Sequence, residues 1–584
     1  MLRPNRRRAP IAVALSLTLL CAIAAAPAAA ADDPPSQPPP LAPATRGTLA
    51  PEGFADPDLI GTRLLGIASA AGARAEVVQI GASREGRPLL LLSIGPVDRA
   101  AKVPEILVIG GMDAVQLASP DQVLATAEAL QRLAASTDPA NTNAGLLDRV
   151  RFHLVALANP DARAAAIARK VPVATNAREV DDDRDAERNE NGPSDLDGDG
   201  RITTIRRPAP PGRPASVLAD SVDPRIVRAA NGDKGERATH EIFTEGLDSD
   251  GDGRIAEDGP GGVDLDRNFP HRWPEFAPEA GPMPLSEPET MALARFVRDH
   301  PAITVAVVFG RHDTLAAFPD TKDKDSTGRT PLVYLAEDHG LYRDFAKVWK
   351  DSTKIERSNS ADLAGSFVLW LANHRGIAAV AANGFARPSL PPPPEGTPPP
   401  PETGDGEQAA WLAVSDTLAE GRGFAPWRAF SHPTLGEVEI GGFAPFFRES
   451  PTASETTALA GASANFVVAL AEKQPKLEVS DPQVTRLASG LTRITLRVTN
   501  TGTLPTVTEM GRVTGVVPPI VVRLALAPDA VLDGRPVEKI DRLAPGRSRD
   551  FDWTVRSDGP VDISVTAPFE GPITRRTAVP EAAR

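Results

Sequence analysis

The sequence predicts an α/β sheet domain covered by helices on both faces and followed by a β-sandwich, and two patterns carry that expectation. Up to about residue 470, short apolar runs such as "EILVIGG" alternate with helically spaced stretches such as "PDQVLATAEALQRLAAS", a succession that builds a largely parallel sheet. From about 476 the apolar residues recur at every second position, with turn residues between the runs. A chain of 584 residues exceeds what one core can serve, so at least two domains are expected.

The first element is a targeting segment. Residues 1–30 combine an arginine-rich start, a short apolar run and small residues of A-x-A type, the layout of a secretory signal peptide. The expectation is a secreted or periplasmic protein, with cleavage near Ala30. Cys21, the single cysteine, would leave with that segment, so the mature chain has no thiol ligand and no disulfide. No later stretch is apolar for the eighteen or so residues that cross a bilayer. A net charge of -14 argues against a nucleic-acid partner, because phosphate binding needs clustered Lys and Arg.

A proline-rich leader (31–54) precedes the first domain, expected over 55–470. There "VVQIGASREGRPLLLLSIG" reads as two strands around a glycine-containing turn. "EILVIGG" and "FHLVALANPD" read as further strands, and "SEPETMALARFVRDHPAITVAVVFG" as a capped helix running into another. The acidic stretch 180–260 is too polar and glycine-rich to carry a core of its own, so something other than apolar burial is expected to order it, and 390–407, "LPPPPEGTPPPPETGDGE", reads as an extended surface insertion. The second domain, 476–584, has Ile494, Leu496 and Val498, then Val522, Leu524 and Leu526, then Ile563 and Val565, in alternation with polar residues. This is expected to form an immunoglobulin-like sandwich.

Two loops have a calcium-binding layout: "DLDGDGRI" with Asp195, Asp197 and Asp199, and "DSDGDGRI" with Asp248, Asp250 and Asp252. Carboxylates at positions one, three and five converge on one cation, and glycine at six permits the turn. Position twelve holds Arg206 and Gly259 rather than Glu, so neither is a complete EF-hand; "DDDRDAE" at 181–187 is a weaker relative. Calcium is the cofactor these loops suggest, in a structural role.

The ordered motifs "IGASREGRPL", "GGMDAVQ", "NPD", "GVDLDRNFP", "SEPET", "FVRDHPAITVAVVFGRHDTLAAFP" and "HRGIAAVAANG" resemble the zinc metallocarboxypeptidases of the carboxypeptidase A type, in the exported bacterial branch with acidic inserts. The resemblance spans about 55–470 and implies a carboxypeptidase-like mixed sheet flanked by helices. It also implies a zinc site, which the residues here depart from. Asp113 and Gln116 stand in the slots of a ligating His and a ligating Glu, and Gly310 stands in that of the third ligand, a His. His312, two residues on, is a substitute only if the strand end slips, since two residues along a strand move a side chain by about 7 Å. Asn383 falls in the slot of the general-base Glu and Ala372 in that of a mobile Tyr. Arg267 keeps the family's carboxylate-anchoring Arg, while Asp266 replaces the Asn beside it. Arg178 is a candidate for the oxyanion-binding Arg.

Catalytic zinc needs three protein ligands and an open position, and hydrolysis needs a base. The expectation is therefore a pseudoenzyme that binds a peptide or cell-envelope ligand, with zinc absent. Two alternatives stand beside it. One is an active carboxypeptidase with a site rebuilt from Asp113, His312 and another residue; the other is a surface structural or adhesive protein acting through the sandwich.

Overall fold

The computed structural model describes residues 53–577 except 137–142, 144, 181–191, 250, 252, 257–260, 320–321, 323, 325–326, 329–330 and 400. The targeting segment, almost all of the leader, "DDDRDAE", Asp250 and Asp252 lie outside the described residues.

Six strands form the central sheet: β1 (Ala75–Ala82), β2 (Pro88–Ile94), β3 (Glu105–Ile109), β4 (Arg151–Val155), β5 (Ile303–Phe309) and β6 (Ala378–Ala382), in the order β1-β2-β4-β3-β5-β6. β1 and β2 are an antiparallel hairpin turning at Gly86, whose φ of 81° suits glycine, and β2 also meets β4 antiparallel. β4, β3, β5 and β6 are parallel. Their apolar runs are unbroken because every residue of β3 and β6 is buried, as befits strands covered on both sides.

The helices around the sheet include α1 (Pro57–Ala71), α2 (Ser119–Ala135), α3 (Pro160–Arg169), α4 (Pro288–Asp299), α5 (His339–Thr353), α6 (Phe367–Arg375), α7 (Gly406–Leu418) and α8 (Ala453–Ala471). α8 packs on α2 and α5 and opens with a capping box, in which Thr452 and Glu455 satisfy each other's backbone N–H groups. α4 lies against β1, and α6 against β5 and β6. The start of α4 differs from the sequence expectation. Its N-cap is Glu287, which makes no capping bond and is instead buried against Arg84, Arg178 and Asn176. Among the described residues, no helix is long and apolar enough to cross a membrane.

The acidic insert corrects a second expectation, for it does share a core. Strands 204–208 and 240–244 join the hairpin 424–432/436–443 in a separate four-stranded antiparallel sheet. Ile205, Ile255 and Ala256 of the insert pack there with Val438 and Ile440. The insert is too polar to bury apolar surface alone, but a segment some two hundred residues later supplies the other half. The ion pair of Arg206 with Glu439 (2.8 Å) joins the two. Buried Glu245 accepts from the backbone N–H groups of Leu196 and Thr203, each at 2.7 Å.

From 477 to 577 the chain is all-β apart from a short helix, α9 (Glu509–Thr514), and one 3-10 turn, Pro528–Ala530. It forms a five-stranded and a four-stranded antiparallel sheet. Ile494, Leu496, Val498, Val522, Leu524, Ile563 and Val565 all enter their common core with Phe551 and Trp553, while Leu526 lies at its margin. α9 fastens this region to the first. Asp338 accepts from the N–H groups of Glu509 (2.8 Å) and Met510 (3.1 Å), and the Thr508 hydroxyl donates to Gly376 O (2.9 Å). Gly376 permits the approach, since a Cβ there would meet Gly511 Cα at 2.4 Å.

Candidate functional site

In parallel sheets, ligand sites form beyond the carboxyl ends of the strands, where the loops diverge. β3 ends in Gly110 and Gly111. A side chain on Gly110 would meet the backbone of Ser119 at 2.5 Å, and Gly111 adopts a φ of 62°. This tight turn delivers Asp113, whose Oδ1 accepts from the N–H groups of Val115 (2.8 Å) and Gln116 (3.2 Å). Its other oxygen, Oδ2, is buried without a hydrogen-bond partner.

Gly310 follows β5 and faces that oxygen: a Cβ built on it would lie 3.8 Å from Asp113 Oδ2. Two of the expected ligand slots thus meet. Gln116 donates its amide N–H to Asn383 O at 2.8 Å, while its Oε1 is buried without a hydrogen-bond partner. Asn383 spends its own amide on the backbone oxygens of Asn359 (3.1 Å) and Arg311 (3.4 Å).

The residue that fills the space beside Asp113 is Arg311. Its Nε lies 3.8 Å from Asp113 Oδ2, and its Nη2 pairs with Asp264. His312 is buried with its Nε2 3.3 Å from Asp266 Oδ2, so it turns towards the segment of Asp266 and Arg267. Asp313 caps the following turn, its Oδ1 accepting from Leu315, Ala316 and Ala317 N–H at 2.7 to 3.0 Å. Arg267 lies 3.5 Å from Glu279, and the Asp266 carboxylate accepts from Phe367 N–H at 2.7 Å.

Charge in this pocket is unbalanced towards acid. Burial raises the Asp113 carboxyl above its ordinary range, Arg311 opposing and Asp264 adding to the rise. Burial likewise raises Asp266 and Asp313. Burial would lower the Arg311 guanidinium, but the carboxylates of Asp264 and Asp113 outweigh it and bind its proton more firmly. His312 is pushed down to about 4 by burial and by Arg311, which leaves a neutral imidazole at pH 7.

Two placements need correction. Ala372 lies inside α6 and is buried in the main core, where a mobile cleft side chain cannot stand. It is the segment before α6 that borders the site, through Asn359, Ser360 and Ala361. Arg178 pairs with the buried Glu287 at 2.9 Å, which occupies it away from an oxyanion. Sequence reasoning passed over Arg311, Asp264 and Asp313. The signal available was "FGRHD", a run of charges directly after a buried strand.

A family model described as zinc carboxypeptidase matches residues 64–192 and 214–382, just over half of the chain. The chain belongs to the zinc carboxypeptidase family. A second model, described as a domain of unknown function, matches 476–577. No curated protein matches. Among solved structures, the chain is similar to bovine thrombin-activatable fibrinolysis inhibitor, at 14% identity over 72% of this chain and 97% of that one, with a TM-score of 0.37. It is also similar to a metallo-carboxypeptidase from Burkholderia cenocepacia, at 12% identity over 71% and 69% of the two chains, with a TM-score of 0.34.

Zinc is the metal expected for this family, and the residues present do not fit it. Gly310 has no side chain, Gln116 is neutral and turned to Asn383, and His312 faces Asp266. Among the described residues, the one set of three carboxylate or imidazole groups whose ligand atoms lie within 4.8 Å of one another is Asp195, Asp197 and Asp199, which are exposed.

Proposed function

We propose that this zinc carboxypeptidase relative is an exported, non-hydrolytic protein that binds a peptide or cell-envelope component. What carries this is the pairing of Asp113 with Arg311 where further metal ligands would have to stand. Asn383 adds to it, for an amide cannot take the proton of an attacking water. Arg267 supports a ligand with a free carboxylate, since its side chain stays partly exposed and its contact with Glu279, 3.5 Å from Nε, is a loose one.

Calcium in the loop of Asp195, Asp197 and Asp199 belongs to the same proposal. The loop is already turned by N–H donors, Gly198 and Gly200 each giving 2.8 Å bonds to Asp195, and Asp248 binds Gly251 N–H in the same way at 2.8 Å.

One experiment tests both points: metal analysis of the purified mature protein, with a peptidase assay in added zinc. The expected result is calcium, no zinc and no release of C-terminal residues. Stoichiometric zinc with turnover would overturn the non-hydrolytic function.

A further inference from the structure

We propose that the Arg311 guanidinium is a tethered cation standing in the place of the family's metal, and that it keeps divalent ions out. This rests on the cleft being non-catalytic and adds what took over the metal's electrostatic work. The geometry is specific. The Asp113 slot and the Gly310 slot open on each other, with 3.8 Å between Asp113 Oδ2 and a Cβ position on Gly310. Arg311 Nε reaches the same oxygen at the same distance, and its far end pairs with Asp264. One positive group thus lies between two carboxylates from separate loops, paired with Asp264 and in looser charge contact, at 3.8 Å, with Asp113.

The glycine at position 310 is what makes room. A large side chain there would project against Asp113, whereas glycine leaves that face open to the next residue. The guanidinium has the planar, permanently charged form suited to serving two acids at once. The balance remains imperfect, because Asp266 and Asp313 add further acid and His312 is neutral. Removal of Arg311 would leave Asp113 and Asp264 buried side by side with oxygen donors only, a set that suits a hard cation such as Mn2+ better than zinc.

The test is thermal unfolding of the full mature chain with and without millimolar Mn2+. It compares the wild type, Arg311→Met, and the neutral triple variant Asp113→Asn/Asp264→Asn/Arg311→Met. Arg311→Met is expected to lose on the order of 5 °C in Tm or more, by the usual conversion of a broken buried ion pair. Mn2+ should raise Arg311→Met and leave the wild type and the triple variant where the shared acidic loops alone put them. The triple variant should return most of the loss. An Arg311→Met protein as stable as the wild type, or one that gains no more from Mn2+ than the wild type, would overturn the proposal. If Arg311→Met does not fold, the triple variant must fold for it to stand. Zinc-dependent turnover by the wild type is a separate readout that strikes the non-hydrolytic function instead.

Discussion

The same parallel strands carry a buried ionic cluster at each end, and the two clusters are built on opposite terms. At the amino ends, Glu105 of β3 pairs with Arg151 of β4 at 3.1 Å and lies 3.2 Å from His153 Nε2, while His153 Nδ1 and the Ser93 hydroxyl share a 2.9 Å hydrogen bond. Burial pushes the Glu105 carboxyl up, but His153, His300 and Arg151 outweigh it and hold it below its ordinary range, although burial also lowers His153 against the pull of Glu105, so Arg151 is the permanent charge of the cluster. At the carboxyl ends, burial wins: Asp113 and Asp266 are raised despite Arg311. A cluster that serves only to hold strands together can settle into charge balance. The cluster at the carboxyl ends gathers Asp113, Asp264, Asp266 and Asp313 around the single guanidinium of Arg311, which does not fully match them.

The largest way to break this contrast is to remove the cation of the balanced cluster. Arg151→Met leaves Glu105, a carboxylate that is 7% exposed, with His153 alone and also gives up the Arg99 O contact at 3.0 Å. Loss of one partner of a buried pair costs about 3–5 kcal/mol, and denaturant unfolding at pH 7 should show a loss of that size. A loss under about 1 kcal/mol would mean that the amino-end cluster is no more settled than the other.

The next effect is a pH dependence, and its sign follows from His312. The folded value, about 4, lies below the ordinary 6.5, so the unfolded chain binds more protons between these values. The contribution of His312 is therefore intact above about 6.5 and drains away as pH falls towards 4, by an order of magnitude of about 3 kcal/mol. His312→Gln should flatten that decline. Equal slopes for variant and wild type between pH 6.5 and 4 would show that the imidazole is not held neutral by its surroundings.

What the sequence disclosed of these regions follows from how local each pattern is. The parallel strands and the sandwich are legible because Val108, Val380, Leu496 and Val565 repeat a period that neighbouring residues can show. The facing of Asp113 and Gly310 is legible as well, since both follow apolar strands that must lie side by side. Arg311 was hidden by strand alternation, which sets it on the face opposite Gly310 and His312. That alternation lapses once β5 ends at Phe309, and the chain is free to turn the guanidinium inward. Ala372 is not legible as lying off the site, because it belongs to α6, whose buried face recurs every three to four residues and carries no mark of the cleft. The core under the acidic insert was invisible because its other half comes from Val438 and Ile440.

The smallest expected effect is the sharpest test of the comparison, because it has the sign opposite to that at Glu105. Asp113→Asn keeps the Oδ1 acceptor for Val115 and Gln116 N–H and removes one charge from an over-acidic cluster. Arg311 retains Asp264 as its partner. At neutral pH the substitution should cost no more than about 1 kcal/mol, against several for Arg151→Met, because only an imperfect 3.8 Å contact is lost. Its pH dependence is the decisive part. The raised folded value of Asp113 means that the native state binds the proton more tightly than the unfolded chain does. That stabilising contribution is full below the ordinary carboxyl range and is lost as pH rises through the folded value. Asn has no proton to lose, so the difference in stability between Asp113→Asn and the wild type should move in the variant's favour as pH rises from 4. A difference that moves the other way would place Asp113 with Glu105, as a carboxylate its surroundings are built to keep charged.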